Sequence, residues 1–257
     1  LKSVLIHRIS KKGADRLNDP IIDEERLSLI INNEKAFELV FTMTHIRALA
    51  AGFLFTQGIA RKPSDLVSLS LAPDGRECEI TLSQDAFNRF RRMNQSLPVK
   101  GSSGGRMPSF AQVSGTDSPS LALKITAAQV LFLIEQHAAH STLFKETGAV
   151  HSAGLCSCDT ILDYFEDIGR HNAVDKLAGH LFLNPAPVAE RIVTLSCRMS
   201  VEIISKIIQT RIKIVISNAA PTLSAVRLAD QAGVTMIGFA RQGRFNIYTH
   251  PERVITN

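Results

Sequence analysis

Apolar residues change their spacing part-way along this chain, and the change divides it. Early on they alternate: Leu27-Ser28-Leu29-Ile30-Ile31 and Phe37-Glu38-Leu39-Val40-Phe41 read as two strands joined through Asn32-Asn33-Glu34, which tolerates a tight turn. Ile46, Leu49, Ala50, Phe53 and Leu54 then recur at helical spacing, with Thr44 as the expected cap and Gly58 as the stop. A second hairpin follows, Leu66–Leu71 and Cys78–Leu82 around Pro73-Asp74-Gly75. From Gly101 to Ser120 the chain is rich in Gly, Ser and Pro and has no hydrophobic period, so it reads as a linker or mobile loop.

Beyond this point longer apolar periods alternate with short apolar runs. A helix is predicted near 126–144, then strands at Ala153–Cys158 and Thr160–Phe165, and a helix at 171–183. Strands at 191–195, 212–217 and 234–239 are separated by an amphipathic helix from Val201 to Ile208 and by a helix that Pro221 opens and that runs to Ala232. Strand-helix-strand alternation with short links predicts right-handed crossovers and a parallel sheet covered on both faces. The expected organisation is a basic, partly disordered segment 1–22, a small α+β domain 23–100, the loop 101–120, and a three-layer α/β/α domain 121–257.

Charge sharpens the picture at one junction. Glu166-Asp167-Ile168-Gly169-Arg170-His171-Asn172-Ala173-Val174-Asp175-Lys176 packs six ionisable side chains into eleven residues where a strand hands over to a helix. Such charges are expensive to bury, and in an alternating α/β layout the junction lies at the sheet edge where ligands bind. A capped helix start with a surface salt-bridge cluster is the other reading of the same residues. Near the C-terminus, Arg241 and Arg244 flank Gln242-Gly243 at the end of an apolar strand. Glycine permits close backbone approach and arginine offers forked donors to phosphate, although an exposed turn also explains the pair. At a third strand exit, Ser196-Cys197-Arg198-Met199-Ser200, Arg198 and Ser200 stand at a helix N-terminus, as an anion site or with Ser200 as a simple N-cap.

Composition narrows the partners. A net charge of +5 suits an anionic partner: nucleic acid, a nucleotide or a phosphorylated cofactor. No apolar run reaches the roughly 18 residues that span a bilayer, and the first residues lack a secretory signal. Four scattered cysteines, Cys78, Cys156, Cys158 and Cys197, point to a reducing cytoplasm. Cys156-Ser157-Cys158 lacks the spacing of a zinc site, and no nucleophile elbow, Walker loop or dinucleotide fingerprint is present. No metal site is therefore expected. A nucleic-acid module built on Arg89-Phe90-Arg91-Arg92 has few aromatic side chains for stacking, with two Tyr and no Trp.

In order along the chain, Leu49–Leu54 with Gly58-Ile59, Thr147–His151, Glu166–Leu177, Arg198–Glu202 and Gly238–Arg253 resemble the FdhD family of formate dehydrogenase accessory sulfurtransferases. The resemblance implies a cytoplasmic homodimer whose C-terminal domain has a cytidine-deaminase-like fold. It implies sulfur carriage from a cysteine desulfurase to the molybdenum (or tungsten) bis-molybdopterin guanine dinucleotide, before that cofactor enters the formate dehydrogenase catalytic subunit. The family's guanine-nucleotide segment falls on Phe239, Ala240, Arg241, Gln242, Gly243 and Arg244, with GDP as a partial mimic; His171, Lys176, Arg198 and Ser200 are expected to line the same pocket. One position departs from the family. Its sulfur-carrying loop aligns with Gly101-Ser102-Ser103-Gly104-Gly105, so Ser102 stands where the persulfide cysteine belongs, and a hydroxyl cannot hold sulfane sulfur. Substitution by another thiol, with Cys197 favoured by its helix N-terminus, or cofactor binding without sulfur carriage both follow. Zinc-dependent deamination is a further alternative, but His171-Asn172-Ala173 and Cys197-Arg198-Met199 supply neither the required Glu nor the Cys pair.

Overall fold

The structure is a computed structural model and describes residues 1–95, 123–185, 187 and 190–256. The loop expected at 101–120, Ser102 included, lies outside the described residues.

The chain opens with a hairpin, β1 (Lys2–Ser10) and β2 (Gly13–Ile21), in continuous antiparallel register from Lys2↔Ile21 to Ser10↔Gly13. This corrects the expectation of a partly disordered start. Val4, Ile6 and Leu17 share one face of the ribbon, and Gly13, at φ 130°, closes the turn that the polar composition had masked. A four-stranded sheet follows, in the order β4-β3-β6-β5, from β3 (Glu25–Ile31), β4 (Glu34–Phe41), β5 (Leu66–Leu71) and β6 (Glu77–Leu82). The helices α1 (Ile46–Thr56) and α2 (Gln84–Gln95) complete this layer, whose core includes Leu27, Leu29, Ile31, Leu49, Phe53, Ile80 and Phe90. Thr44 does not cap α1. The N-cap is His45, at φ 51°, while the Thr44 hydroxyl is drawn into contacts with the second half of the chain.

After β7 (Ile125–Thr126), the predicted helix 126–144 is two helices, α3 (Ala127–His140) and α4 (Thr142–Thr147). Thr126 and Gln129 form a reciprocal capping box at the start of α3. The break at Ser141 has a clear cause: the buried Glu166 carboxylate accepts hydrogen bonds from Ser141 Oγ (2.5 Å) and from the backbone N–H groups of Leu143 and Phe144 (both 3.3 Å). A carboxylate fixed there satisfies the orphan donors of a new helix start.

The remaining elements are β8 (His151–Cys156), β9 (Ile161–Asp167), α5 (Arg170–Leu183), β10 (Ile192–Leu195), α6 (Val201–Gln209), β11 (Ile214–Ser217), α7 (Leu223–Gln231), β12 (Thr235–Arg241), β13 (Arg244–Thr249) and β14 (Val254–Ile255). β14 pairs with β7 in parallel. Thr222, not Pro221, caps α7, and Pro221 instead bridges to Met199. The main sheet has the order β13-β12-β11-β10-β8-β9. It is mixed, which corrects the all-parallel expectation: β10, β11 and β12 are parallel neighbours, while β8 and β13 run antiparallel to theirs. Both faces are covered. Val193, Leu195, Val215 and Met236 pack with α5, α6 and α7; Ile192, Ile214, Ile216 and Ile237 pack with α3. Strand alternation divides these continuous apolar runs between two cores.

The two layers meet at α1 and α5 with their backbones in contact. A Cβ on Gly52 would lie 1.8 Å from the Asp175 carbonyl oxygen, and one on Gly179 would lie 1.8 Å from that of Ala48. Only glycine fits at either position.

Candidate functional site

The carboxyl ends of β9, β10, β11 and β12 reach one edge of the main sheet, and α5, α6 and α7 start there. Their free N–H groups give this edge a positive field. The charged junction after β9 divides in two. Asp167 and Lys176 are fully buried and paired at 2.7 Å. Lys176 Nζ also donates to the carbonyls of Thr42 (3.0 Å) and Glu166 (2.9 Å) and to the Thr44 hydroxyl (3.0 Å). Asp167 accepts in turn from the Thr42 and Gly169 N–H groups and from Asn172 Nδ2. The expectation that Lys176 lines a ligand pocket is therefore corrected: its ammonium is closed off inside the seam between the layers. A second buried pair, Lys206 with Asp175 at 2.6 Å, ties α6 to α5, and Asp175 also accepts from Thr56 of α1.

His171 faces the other way. Its Nε2 lies 2.7 Å from Glu202 Oε2, in the first turn of α6. Burial, with the Lys206 and Arg170 charges, holds His171 down to about 4 against the opposing pull of Glu202. The imidazole is thus neutral at physiological pH.

At the exit of β10, Arg198 is exposed beside a buried Cys197. Ser200 is the N-cap of α6, its hydroxyl accepting from the Ile203 N–H, so the capping reading holds for this residue. His151, at the start of β8, is half-buried, and its pKa is lowered by burial and then by Arg170 and Arg198, which places these groups together. The exits of β10 and β11 are locked to each other by hydrogen bonds from Met199 N–H to Ala220 O and from Thr222 N–H to Met199 O.

At the exit of β12 the ladder is irregular. Phe239 takes φ 51°, and its N–H donates to Ala219 O of the adjoining loop. Gln242 and Gly243 make a left-handed turn at φ 54° and 72°, and Arg241 and Arg244 face each other directly across it. Both arginines are exposed; Arg241 lies over the Phe239 ring, 5.7 Å from its centroid. Ala240 is fully buried against the α3 core, so its side chain is turned away from this edge.

None of the four thiols has an activated setting. Burial pushes Cys78 up to about 12 and Cys156 and Cys197 up to about 11, and raises Cys158 as well. For Cys197 this corrects the expectation from its place before a helix: Arg170 and Arg198 favour the thiolate, but desolvation outweighs them. Among the described residues no three His, Cys, Asp or Glu side chains converge as a metal would require. The basic segment at Arg89–Arg92 is partly neutralised on α2, with Arg89 paired to Asp65 and Arg91 to Glu34. Among the described residues no helix is long and apolar enough to cross a membrane. Arg170, His151 and Glu202 were not picked out as site residues in the sequence. All three stood inside quoted phrases, and only the convergence of the strand exits distinguishes them.

The profile of the FdhD/NarQ family matches residues 22–255. The chain belongs to the FdhD/NarQ family. It is 33% identical over 254 residues to the sulfur carrier protein FdhD of Bacillus subtilis (strain 168), covering 97% of this chain and 95% of that one. It is 32% identical over 237 residues to the protein of the same name from Staphylococcus haemolyticus (strain JCSC1435), covering 92% and 90%. A crystal structure of a candidate formate dehydrogenase accessory protein from Desulfotalea psychrophila superposes with a TM-score of 0.79 at 22% identity, over 98% of this chain and 99% of that one. That likeness is one of fold. The family's mixed α/β architecture is thus shared along nearly the whole chain.

Proposed function

We propose that this chain is a sulfur-carrier-family protein that serves formate dehydrogenase, binding the molybdenum (or tungsten) bis-molybdopterin guanine dinucleotide as its substrate at the basic sheet edge. The Arg241↔Arg244 pair carries this reading. Like charges directly opposite on a hairpin are destabilising, and an anion between them removes the repulsion while accepting forked hydrogen bonds from both. Arg198 and the starts of α5, α6 and α7 extend the same positive edge toward His171. In this reading the C-terminal layer has the cytidine-deaminase-like arrangement, and the working protein is a cytoplasmic homodimer. It meets a cysteine desulfurase and the formate dehydrogenase catalytic subunit in turn.

Calorimetric titration with GDP tests the placement. Arg244→Ala is expected to bind about tenfold or more weakly than wild type, the loss of one charge-assisted contact. Equal affinities would remove the site from this edge, and comparable binding of an unrelated RNA would favour a nucleic-acid module.

The setting of the thiols favours a second reading of the chemistry, in which the chain binds cofactor without carrying sulfur. Persulfide transfer needs a thiolate that attacks the donor's outer sulfur, forming a new S–S bond while the donor leaves as a thiolate. Ser102 cannot do this; Cys78, Cys156 and Cys197 are buried with raised pKa values, and the pKa of the half-buried Cys158 is raised as well. After incubation with a cysteine desulfurase and cysteine, intact mass spectrometry is expected to find no added sulfur on the parent. A labelled species is expected only for Ser102→Cys. Added sulfur on the parent, mapped to Cys197, would show instead that another thiol has taken over.

A further inference from the structure

The basic edge is rich in donors. Arginine side chains and helix N-termini only donate hydrogen bonds, whereas a bound nucleotide also presents donors of its own, ribose hydroxyls and base N–H groups. An acceptor is needed among the donors, and His171 is built as one. Its Nε2 lies 2.7 Å from the Glu202 carboxylate, which can only accept, so the ring proton sits on Nε2 and Nδ1 is left bare. Nδ1 has no hydrogen-bond partner among the described residues, yet it is not sealed away. The buried side-chain nitrogen and oxygen atoms without partners there are Nε and Nη2 of Arg253.

Resting on the nucleotide reading above, we propose that Glu202 is a positioning residue: it fixes the His171 tautomer so that Nδ1 accepts a hydrogen bond from an N–H or O–H of the bound nucleotide. The surroundings keep the ring in the state this requires. Lys206 of α6 and Arg170 of α5, together with burial, oppose a second proton, and Glu202 on its own does not overcome them. An imidazolium would place one more donor at an edge that already has several. Dyad geometry gives the acidic side chain in the first turn of α6 a partner inside this positive field.

The tautomer is read directly by nitrogen-15 NMR of the imidazole, and the acceptor role by comparing two ligands. Wild type is expected to show the Nε2–H form at neutral pH. Glu202→Leu should give a mixture of tautomers, bind GDP about three- to tenfold more weakly, and bind pyrophosphate as wild type does. His171→Leu provides the same comparison if the Glu202 variant does not fold. The double variant should be no weaker than His171→Leu alone, because both changes remove one interaction. A proton on Nδ1 in the wild type, or GDP binding unchanged in both single variants, overturns the proposal. Equal losses for GDP and pyrophosphate also overturn it, assigning the residues a general structural role. Wild type that binds pyrophosphate but not GDP would refute the nucleotide reading, and the acceptor role with it, while the spectrum still reports the dyad.

Discussion

Gly179→Ala is expected to lower the thermal midpoint by about 10 °C, from a loss of about 3 kcal/mol or more. The added methyl would stand 1.8 Å from the Ala48 carbonyl oxygen and 2.6 Å from the Gly52 nitrogen. Both are backbone atoms, and neither can rotate aside as the tip of a side chain would. Relief therefore requires α1 and α5 to separate, which loosens the seam holding the four-stranded layer against the main sheet. Gly52→Ala meets Asp175 in the same crossing and should cost as much. The double variant should cost less than the sum, since one displacement relieves both overlaps. Gly148→Ala is the internal comparison. Its φ of 67° strains an alanine, but no atom lies within 4 Å of the new methyl, so about 1 kcal/mol is expected. Calorimetric melts finding Gly179→Ala no worse than Gly148→Ala would contradict the close crossing.

Lys176→Met should destabilise the protein by about 3–5 kcal/mol, because it leaves the Asp167 carboxylate charged and uncompensated in the interior. Asp167 and Lys176 are both fully buried at 2.7 Å, and Lys176 Nζ also satisfies two carbonyls and a hydroxyl from both layers. Neutralising the orphan should help. In the pair Lys176→Met with Asp167→Asn, the amide oxygen still accepts from Gly169 or Thr42 while the buried charge is gone. Partial recovery, about 1–2 kcal/mol relative to Lys176→Met alone, is expected from denaturant unfolding. A Lys176→Met variant as stable as wild type would mean that this ammonium is not enclosed, and would return it to the ligand edge.

Local pattern carried much of the C-terminal layer. The apolar runs at Ile192–Leu195, Ile214–Ser217 and Thr235–Arg241 are strands, and the 3.6-residue period of Val201–Gln209 is a helix, because these signals depend on neighbours a few residues apart. The phrases that resemble the FdhD family led to the family that contains the chain. What pattern could not read was which charges face a ligand. Glu166, Asp167, Arg170, His171, Asp175 and Lys176 stand together in sequence, yet Glu166 caps α4, Asp167 and Lys176 join Thr42, and Asp175 holds Thr56 and Lys206. Arg170 and His171 stand nearer the sheet edge, where His171 pairs with Glu202 of α6. Those assignments depend on partners up to 134 residues away, so no window along the chain contains them. Glycine shows the same limit: Gly52 and Gly179 weaken their own helices, and only the contact between the two backbones explains their presence. The sequence by itself determined most elements of the C-terminal layer and the family; the tertiary structure alone decided which polar groups are sealed between the layers, because burial is a property of the assembled layers.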